Sequence, residues 1–372
     1  MEKLYLFVLG RDPELSLIEI GSLLESNNIE YEIFDNDKNI AVVKIKNFSE
    51  SIIKKLGGTI KIAEIISNTN KLDEIEINLE KANLYNGTKN KINYYISAFN
   101  TNLKSFVEDF LKDYFKRIIL KALYRKETTP SSMIRNEILK EGLDLVIYKN
   151  YIAKTIAVSN PLELKQRDIS RPSVDYMKTI SLRLAKILIN ISQVKENETL
   201  VDPFCGSGSI LQEALLNNIN VIGFDKSKES IEQAKKNLEW LKENYLIKAD
   251  YRLFNLDSRK MSSVIKKADS IVTEPYLGPY IRKLPRIEEA KEIILDLSSL
   301  YSSIIKQASL MLNSGKRLVI VIPRLRTLEN KTLFIDINSI AENNDFYLAH
   351  KPIIYAYSKS KIIREICVLE KN

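Results

Sequence analysis

Histidine and cysteine are scarce in this sequence: one histidine, His350, and two cysteines, Cys205 and Cys367, in 372 residues. A single imidazole excludes paired-histidine catalysis and His-rich metal sites, and His350 reads as a strand-flanking residue. Two cysteines give neither a disulfide framework nor a ligand cluster, so no metal is expected. No apolar run approaches the ~20 residues that span a bilayer, so no membrane partner is expected. The opening segment has a short apolar stretch and then Arg11, Asp12 and Glu14. It lacks a basic start and a small-residue cleavage site, which predicts a strand and a cytoplasmic protein, not a signal peptide.

What is present is ordinary globular material with a basic balance. Hydrophobic residues at 45% and charged residues at 28% suit a soluble fold, and the length exceeds what one core organises, so two or three domains are expected. The net charge of +8 suggests a polyanionic partner, although lysine is abundant throughout.

The front half predicts two α+β pieces. In the first, residues 1–57, strands at Leu4–Leu9, Tyr31–Phe34 and Ile40–Ile45 accompany helices at Leu15–Ser26 and Ser49–Leu56, the latter closed by Gly57-Gly58. In the second, residues 58–160, Lys91–Phe99 alternates as a strand. Leu103–Tyr124 carries Phe106, Phe110, Tyr114 and Ile118 at four-residue spacing, which predicts one long helix. Leu143–Tyr148 and Ile152–Val158 read as a hairpin. Residues 161–190 hold a polar connection bounded by Pro161 and Pro172, then a lead-in helix, Ser173–Asn190.

From Glu198 onward the pattern changes to alternating strands and helices. Strands are expected at Leu200–Asp202, Asn220–Phe224, Tyr251–Phe254, Ser270–Thr273 and Arg317–Ile322, with helices near Ser209–Asn217, Lys228–Asn244 and Ile287–Leu312. This is the signature of a doubly wound α/β sheet. Two further apolar runs, Tyr347–Ala356 and Ile362–Leu369, should close it as an antiparallel hairpin.

The run Asp202-Pro-Phe-Cys-Gly-Ser-Gly-Ser209 joins a strand end to a helix start, with Ser209 as its cap. Glycine permits close backbone approach to a ligand, and a helix start offers free N–H groups. No GK[ST] follows and the third glycine of a dinucleotide loop is missing. Asp202 suits a cationic amino group, Asp225 at the next strand end suits a ribose diol, and Asp257 suits an adenine amino group. Read singly, each acid fits a helix cap or loop; together they line one crevice.

Val201 to Ser209 resembles the first motif of Rossmann-like, amino-methylating RNA methyltransferases. Arg167-Asp-Ile-Ser-Arg-Pro172 and Leu182-Arg-Leu-Ala185 resemble the lead-in of the THUMP-domain tRNA guanosine N2-methyltransferase family. Leu56-Gly-Gly-Thr-Ile-Lys61 and Leu143 to Ala157 are similar to THUMP segments. The resemblance spans nearly the whole chain and is strongest over 165–225. It implies a ferredoxin-like unit at 1–57, a THUMP-like RNA-binding domain at 58–160 and a methyltransferase domain at 191–372. S-adenosyl-L-methionine would be held by Asp202, Phe204, Gly206, Gly208, Asp225 and Asp257, with methyl transfer to the 2-amino group of a tRNA guanine at position 10.

The catalytic motif departs from that family. Where relatives carry D-P-P-Y or N-P-P-Y, this chain has Thr273-Glu-Pro-Tyr276. Thr273 takes the acid or amide slot, Glu274 the first proline, and Pro275 and Tyr276 align, with Tyr276 set to stack on an extruded base. Arg117, Lys121 and Arg125 form a basic stripe on the expected long helix, a phosphate track or a solvated face. Arg167 and Arg171 are expected to touch tRNA near the catalytic half. Two alternatives stay open: a tRNA-binding protein without turnover, which the Thr273-Glu274 replacement allows, and a DNA amino-methyltransferase.

Overall fold

The computed structural model describes residues 2–126, 129–173, 180–356 and 360–372, and divides into two compact units, Met1–Arg167 and Asp168–Asn372. The front unit is built on one eight-stranded sheet. Its strands are β1 (Glu2–Leu9), β2 (Tyr31–Asn36), β3 (Ile40–Lys46), β4 (Thr59–Asn68), β5 (Lys91–Phe99), β6 (Lys121–Tyr124), β7 (Gly142–Tyr148) and β8 (Tyr151–Val158), in the order β2-β3-β1-β4-β8-β7-β5-β6. The expected boundary at 57/58 falls between β3 and β4, and both pair with β1. The predicted hairpin of β7 and β8 is present and antiparallel.

Three expectations for this unit are corrected. The helix at Ser49–Leu56 shortens to Ile52–Lys55. The predicted long helix ends at Arg117; Ile119 takes a left-handed φ of 56° and Lys121–Tyr124 becomes β6, parallel to β5. Apolar side chains at four-residue spacing fit the helix, but Ala122 and Tyr124 pack against the core formed beneath β5, and this packing outweighs the helical pattern. The polar connection is a helix, Pro161–Ser170, with proline at its start, where the missing N–H costs nothing.

A buried carboxylate organises the glycine pair. Glu19 in the first helix is fully buried and accepts the N–H groups of Gly57 and Gly58, both at 2.7 Å. A Cβ on Gly58 would lie 2.5 Å from the Ser16 hydroxyl and 2.8 Å from Glu19, so only glycine fits this approach.

The second unit holds a nine-stranded sheet: β9 (Thr199–Asp202), β10 (Asn220–Asp225), β11 (Tyr251–Asn255), β12 (Ser270–Thr273), β13 (Arg317–Arg326), β14 (Thr332–Phe334), β15 (Phe346–Leu348), β16 (Ile353–Tyr355) and β17 (Ile362–Lys371). The main order is β11-β10-β9-β12-β13-β17-β15. The first five strands of that order are parallel, and β17 runs antiparallel to β13. The expected closing hairpin is antiparallel, but its first run is broken into β15 and β16, each paired with β17. His350 lies in the break between them. The lead-in helix covers Leu182–Ile191; residues 174–179 of the expected helix lie outside the described residues. Leu200, Val201, Ile271, Val272 and Leu318 to Ile322 are fully buried, as continuous apolar strands covered on both faces should be.

Candidate active site

Successive strands leave β9 in opposite directions, to β10 on one side and β12 on the other. That reversal opens a crevice at the carboxyl ends of the strands. Asp202 ends β9, and Pro203 behind it has no N–H to extend the ladder. The loop is tied down at once: the Cys205 N–H donates to the Phe224 carbonyl at 2.9 Å and the Gly208 N–H to the Cys205 carbonyl at 2.8 Å. Gly206 and Gly208 take φ values of +51° and +88°, the left-handed region that favours glycine. A Cβ on Gly206 would meet nothing within 4 Å, whereas one on Gly208 would touch Ala234 at 3.4 Å. Gly206 therefore borders open space, and Gly208 packs against the helix Lys228–Asn244.

Gly208, not Ser209, caps the helix Ser209–Leu215. The Ser209 hydroxyl instead accepts from Arg171 Nη1 at 2.8 Å. Asp225 ends β10 and interlocks with the loop: one oxygen accepts the Gly206 N–H at 3.1 Å and the other the Ser227 N–H at 2.8 Å. The Phe204 N–H donates to Asp202 at 3.1 Å. Asp202, Phe204, Gly206, Gly208 and Asp225 are thus brought together. Asp257 caps the turn Ser258–Lys260, and Arg259 grips both its oxygens, holding its carboxyl down at about 2. This is the cap role that a lone loop acid always leaves open.

Across the crevice, Thr273 ends β12. Its side chain is fully buried, and its hydroxyl donates to Asp202 Oδ1 at 2.7 Å. The hydrogen bond joins the two strand ends at the point where the strand order reverses. Thr273 occupies the acid slot of the motif in sequence, but its side chain serves Asp202. Among the described residues no cation pairs with Asp202. Burial pushes its carboxyl up to about 7; the Thr273 hydroxyl and Phe204 N–H oppose this, while the charges of Asp225 and Glu274 add to it.

Glu274 follows with its side chain 12% exposed, and its Oε1 accepts from Arg364 Nε at 2.5 Å. Pro275 is buried and Tyr276 is 55% exposed. The buried Tyr301 hydroxyl lies 3.3 Å from the Tyr276 carbonyl and 3.3 Å from that of Val321, anchoring the loop to β13. Sequence reasoning missed Arg364 and Tyr301. Arg364 had a signal: with Glu365 it interrupts an otherwise apolar strand. Tyr301 had none, since it sits among apolar helix residues.

The basic residues are scattered. Arg117 ends its helix in an ion pair with Glu80, Lys121 is exposed on β6, and Arg125 follows β6 and donates to Asn93 at 2.9 Å. They share no helix face, because the helix stops at Arg117. Arg167 and Arg171 are buried, at 4% and 5% exposure, and pair with Glu163 and Asp168. Neither presents a guanidinium to a surface ligand, as the sequence expectation required.

Among the described residues no helix is long and apolar enough to cross a membrane, and no group of three potential metal-ligating side chains occurs. A family model for the RMKL-like methyltransferase domain matches residues 172–344, and a DNA methylase model matches residues 38–236. The chain is 26% identical over 278 residues to the tRNA (guanine(10)-N2)-dimethyltransferase of Methanothermobacter thermautotrophicus, covering 72% of this chain and 75% of the relative. It is 30% identical over 109 residues to a counterpart from Methanothermococcus thermolithotrophicus, covering 29% and 67%. The crystal structure of TrmN from Thermus thermophilus superposes with a TM-score of 0.54 at 15% identity, over 99% of this chain and 100% of that one, which supports the fold. With the glycine loop, the two strand-end acids and the Glu-Pro-Tyr turn on one crevice, these matches establish that the chain belongs to the S-adenosylmethionine-dependent amino-methyltransferases, in the family of the archaeal tRNA (guanine(10)-N2)-dimethyltransferases.

Proposed function

We propose that this chain methylates the exocyclic 2-amino group of a guanine in tRNA, at position 10, in the cytoplasm. The observation that carries the reading is the Asp202–Thr273 hydrogen bond. It sets a buried carboxyl, with no cationic partner among the described residues, beside the Glu274-Pro-Tyr276 turn, where donor and acceptor must meet. The crevice fits S-adenosylmethionine: Gly206 leaves its Cβ space open, and Asp202 offers a buried carboxyl whose ionised form a cationic ligand would stabilise. When bound, this cofactor supplies an electrophilic methyl group.

In this reading Asp202 and Phe204 border the amino-acid end, Asp225 accepts from the ribose hydroxyls, and the Gly206–Gly208 turn lies against the ligand backbone-first. Asp257 would reach an adenine only after exchanging its contacts with Arg259. Glu274 accepts N–H bonds from the target amine and turns its lone pair toward the methyl group. Tyr276 stacks on the extruded base. The front half, with a ferredoxin-like unit over 1–57 and a THUMP-like domain over 58–160, holds the tRNA; 161–190 links it to the methyltransferase domain, 191–372. Exposed Lys121 and Arg125 remain candidates for phosphate contact.

The DNA methylase match favours one competing substrate, so the test offers both. The protein is incubated with methyl-labelled S-adenosylmethionine and either total tRNA or DNA, and the products are digested to nucleosides for mass spectrometry. N2-methylated guanosine from tRNA is expected. Label confined to DNA, or tRNA binding without transfer, would overturn the reading.

A further inference from the structure

The Glu274–Arg364 pair joins a turn to a strand that runs the opposite way. Residues 362–364 begin β17, and because β17 is antiparallel to β13, that beginning lies at the carboxyl ends of the parallel strands. Arg364 pairs in register with Pro323 near the far end of β13, while Thr273, one residue before Glu274, pairs with Ile320. Arg364 thus reaches across β13 to the crevice. Its Nε binds one Glu274 oxygen, and its side chain stays 38% exposed. No other hydrogen bond is made by the Arg364 side chain or by Glu274 Oε2 among the described residues.

The pair therefore offers, side by side, a carboxylate oxygen and a fork of guanidinium N–H groups, on the turn that two residues later carries the exposed Tyr276. The Watson–Crick edge of guanine presents the complement: two neighbouring donors, N1–H and the 2-amino group, then an acceptor, O6. We propose that Glu274 and Arg364 together read this edge, Glu274 accepting from N1–H and the 2-amino group and Arg364 donating to O6. Arg364 is then a specificity-determining residue. This rests on guanine in tRNA being the substrate. A carboxylate alone would hold any exocyclic amine; the arginine makes the site choose guanine, because a base with a donor at position 6 leaves the guanidinium facing another donor. The reach and planarity of arginine suit this role, and lysine offers only a point charge.

The test keeps the reacting nitrogen and changes the rest of the edge. A ligated tRNA carries 2,6-diaminopurine at the nucleotide that the wild-type protein methylates; this base retains the 2-amino group but replaces O6 by a donor and N1–H by a lone pair. Wild type should prefer guanine by roughly a hundredfold in kcat/KM. Arg364→Met should lower that preference roughly tenfold, removing the share read at position 6 and leaving the share Glu274 reads at N1–H, while still binding cofactor. Should Arg364→Met not fold, Arg364→Lys carries the test and should lower the preference in the same direction. A residue that only supports the loop would slow both substrates equally, and an unchanged ratio in a folded variant would overturn the proposal. So would equal use of both bases by wild type. Absence of guanine methylation by wild type would instead defeat the substrate assignment, and this inference with it.

Discussion

Each unit buries an aspartate at the heart of its sheet, and the two are treated differently. Asp144 in β7 meets Lys61 of β4 at 2.7 Å, with side chains 0% and 2% exposed, and the Thr155 hydroxyl donates to the same carboxylate. Burial raises the Asp144 carboxyl, and the neighbouring ammonium opposes it. Among the described residues, Asp202 has a hydroxyl and an amide N–H as its partners and no cation. A buried charge matched by its own protein is a structural element, whereas one lacking a countercharge is stabilised by whatever cation the crevice receives. The difference separates a sheet that completes itself from one that awaits a ligand.

Breaking the internal pair should have the largest effect. Lys61→Met strands a buried carboxylate and should cost about 3–5 kcal/mol of stability, read by urea denaturation. A Lys61→Met, Asp144→Leu double variant should recover most of it. If the single variant were as stable as wild type, Asp144 would not depend on Lys61.

The same kind of change at Asp202 should act with the opposite sign on stability. Its folded pKa, about 7, lies above the ordinary carboxyl value of 3.8. The folded state thus holds a proton that the unfolded chain releases between those limits. Stability from this group is complete below the lower value and is lost as pH rises through the upper one. Asp202→Asn should melt higher than wild type at pH 8 without ligand, yet bind S-adenosylmethionine roughly ten- to a hundredfold more weakly. Wild-type affinity should rise with pH across neutrality, because the cation selects the ionised carboxylate. Calorimetry in which the variant keeps that rise would remove Asp202 as its source.

The smallest effect is expected where the front unit satisfies an exposed charge. Arg117 and Glu80 form an exposed surface pair, so Arg117→Gln should leave the urea midpoint nearly unchanged and shift tRNA affinity by less than roughly twofold. A filter-binding titration showing a large loss would return Arg117 to the RNA surface.

The two units also differed in how far sequence reached them. In the catalytic unit strand and helix alternate and each parallel strand is a short apolar run, so the five parallel strands and the glycine loop were legible from local pattern. Asp202 and Asp225 stood out because a strand ended on each. In the front unit, β4 pairs with β8, nearly a hundred residues on, as the partners Lys61 and Val158 show, and nothing local announces that pairing. Lys61 reads as a surface lysine until Asp144 is placed beside it. β6 carries a helix-like repeat and is a strand because of what it packs against. Arg167 and Arg171 were expected at a surface because arginine is usually there, and the structure buries both guanidinium groups against carboxylates. Glu274 was visible as a departure from its motif, but its partner, ninety residues later in the sequence, was not.

The place of β17 has a consequence for synthesis. It is the last strand of its sheet to leave the ribosome, yet it lies inside, between β13 and β15, and holds β16 as well. Until residues 362–371 emerge, β13 has an open apolar flank and Glu274 lacks Arg364. Domains generally fold as units during translation, so a nascent chain stalled before residue 362 would carry a finished glycine loop, an unsealed sheet edge and a crevice unable to choose its base.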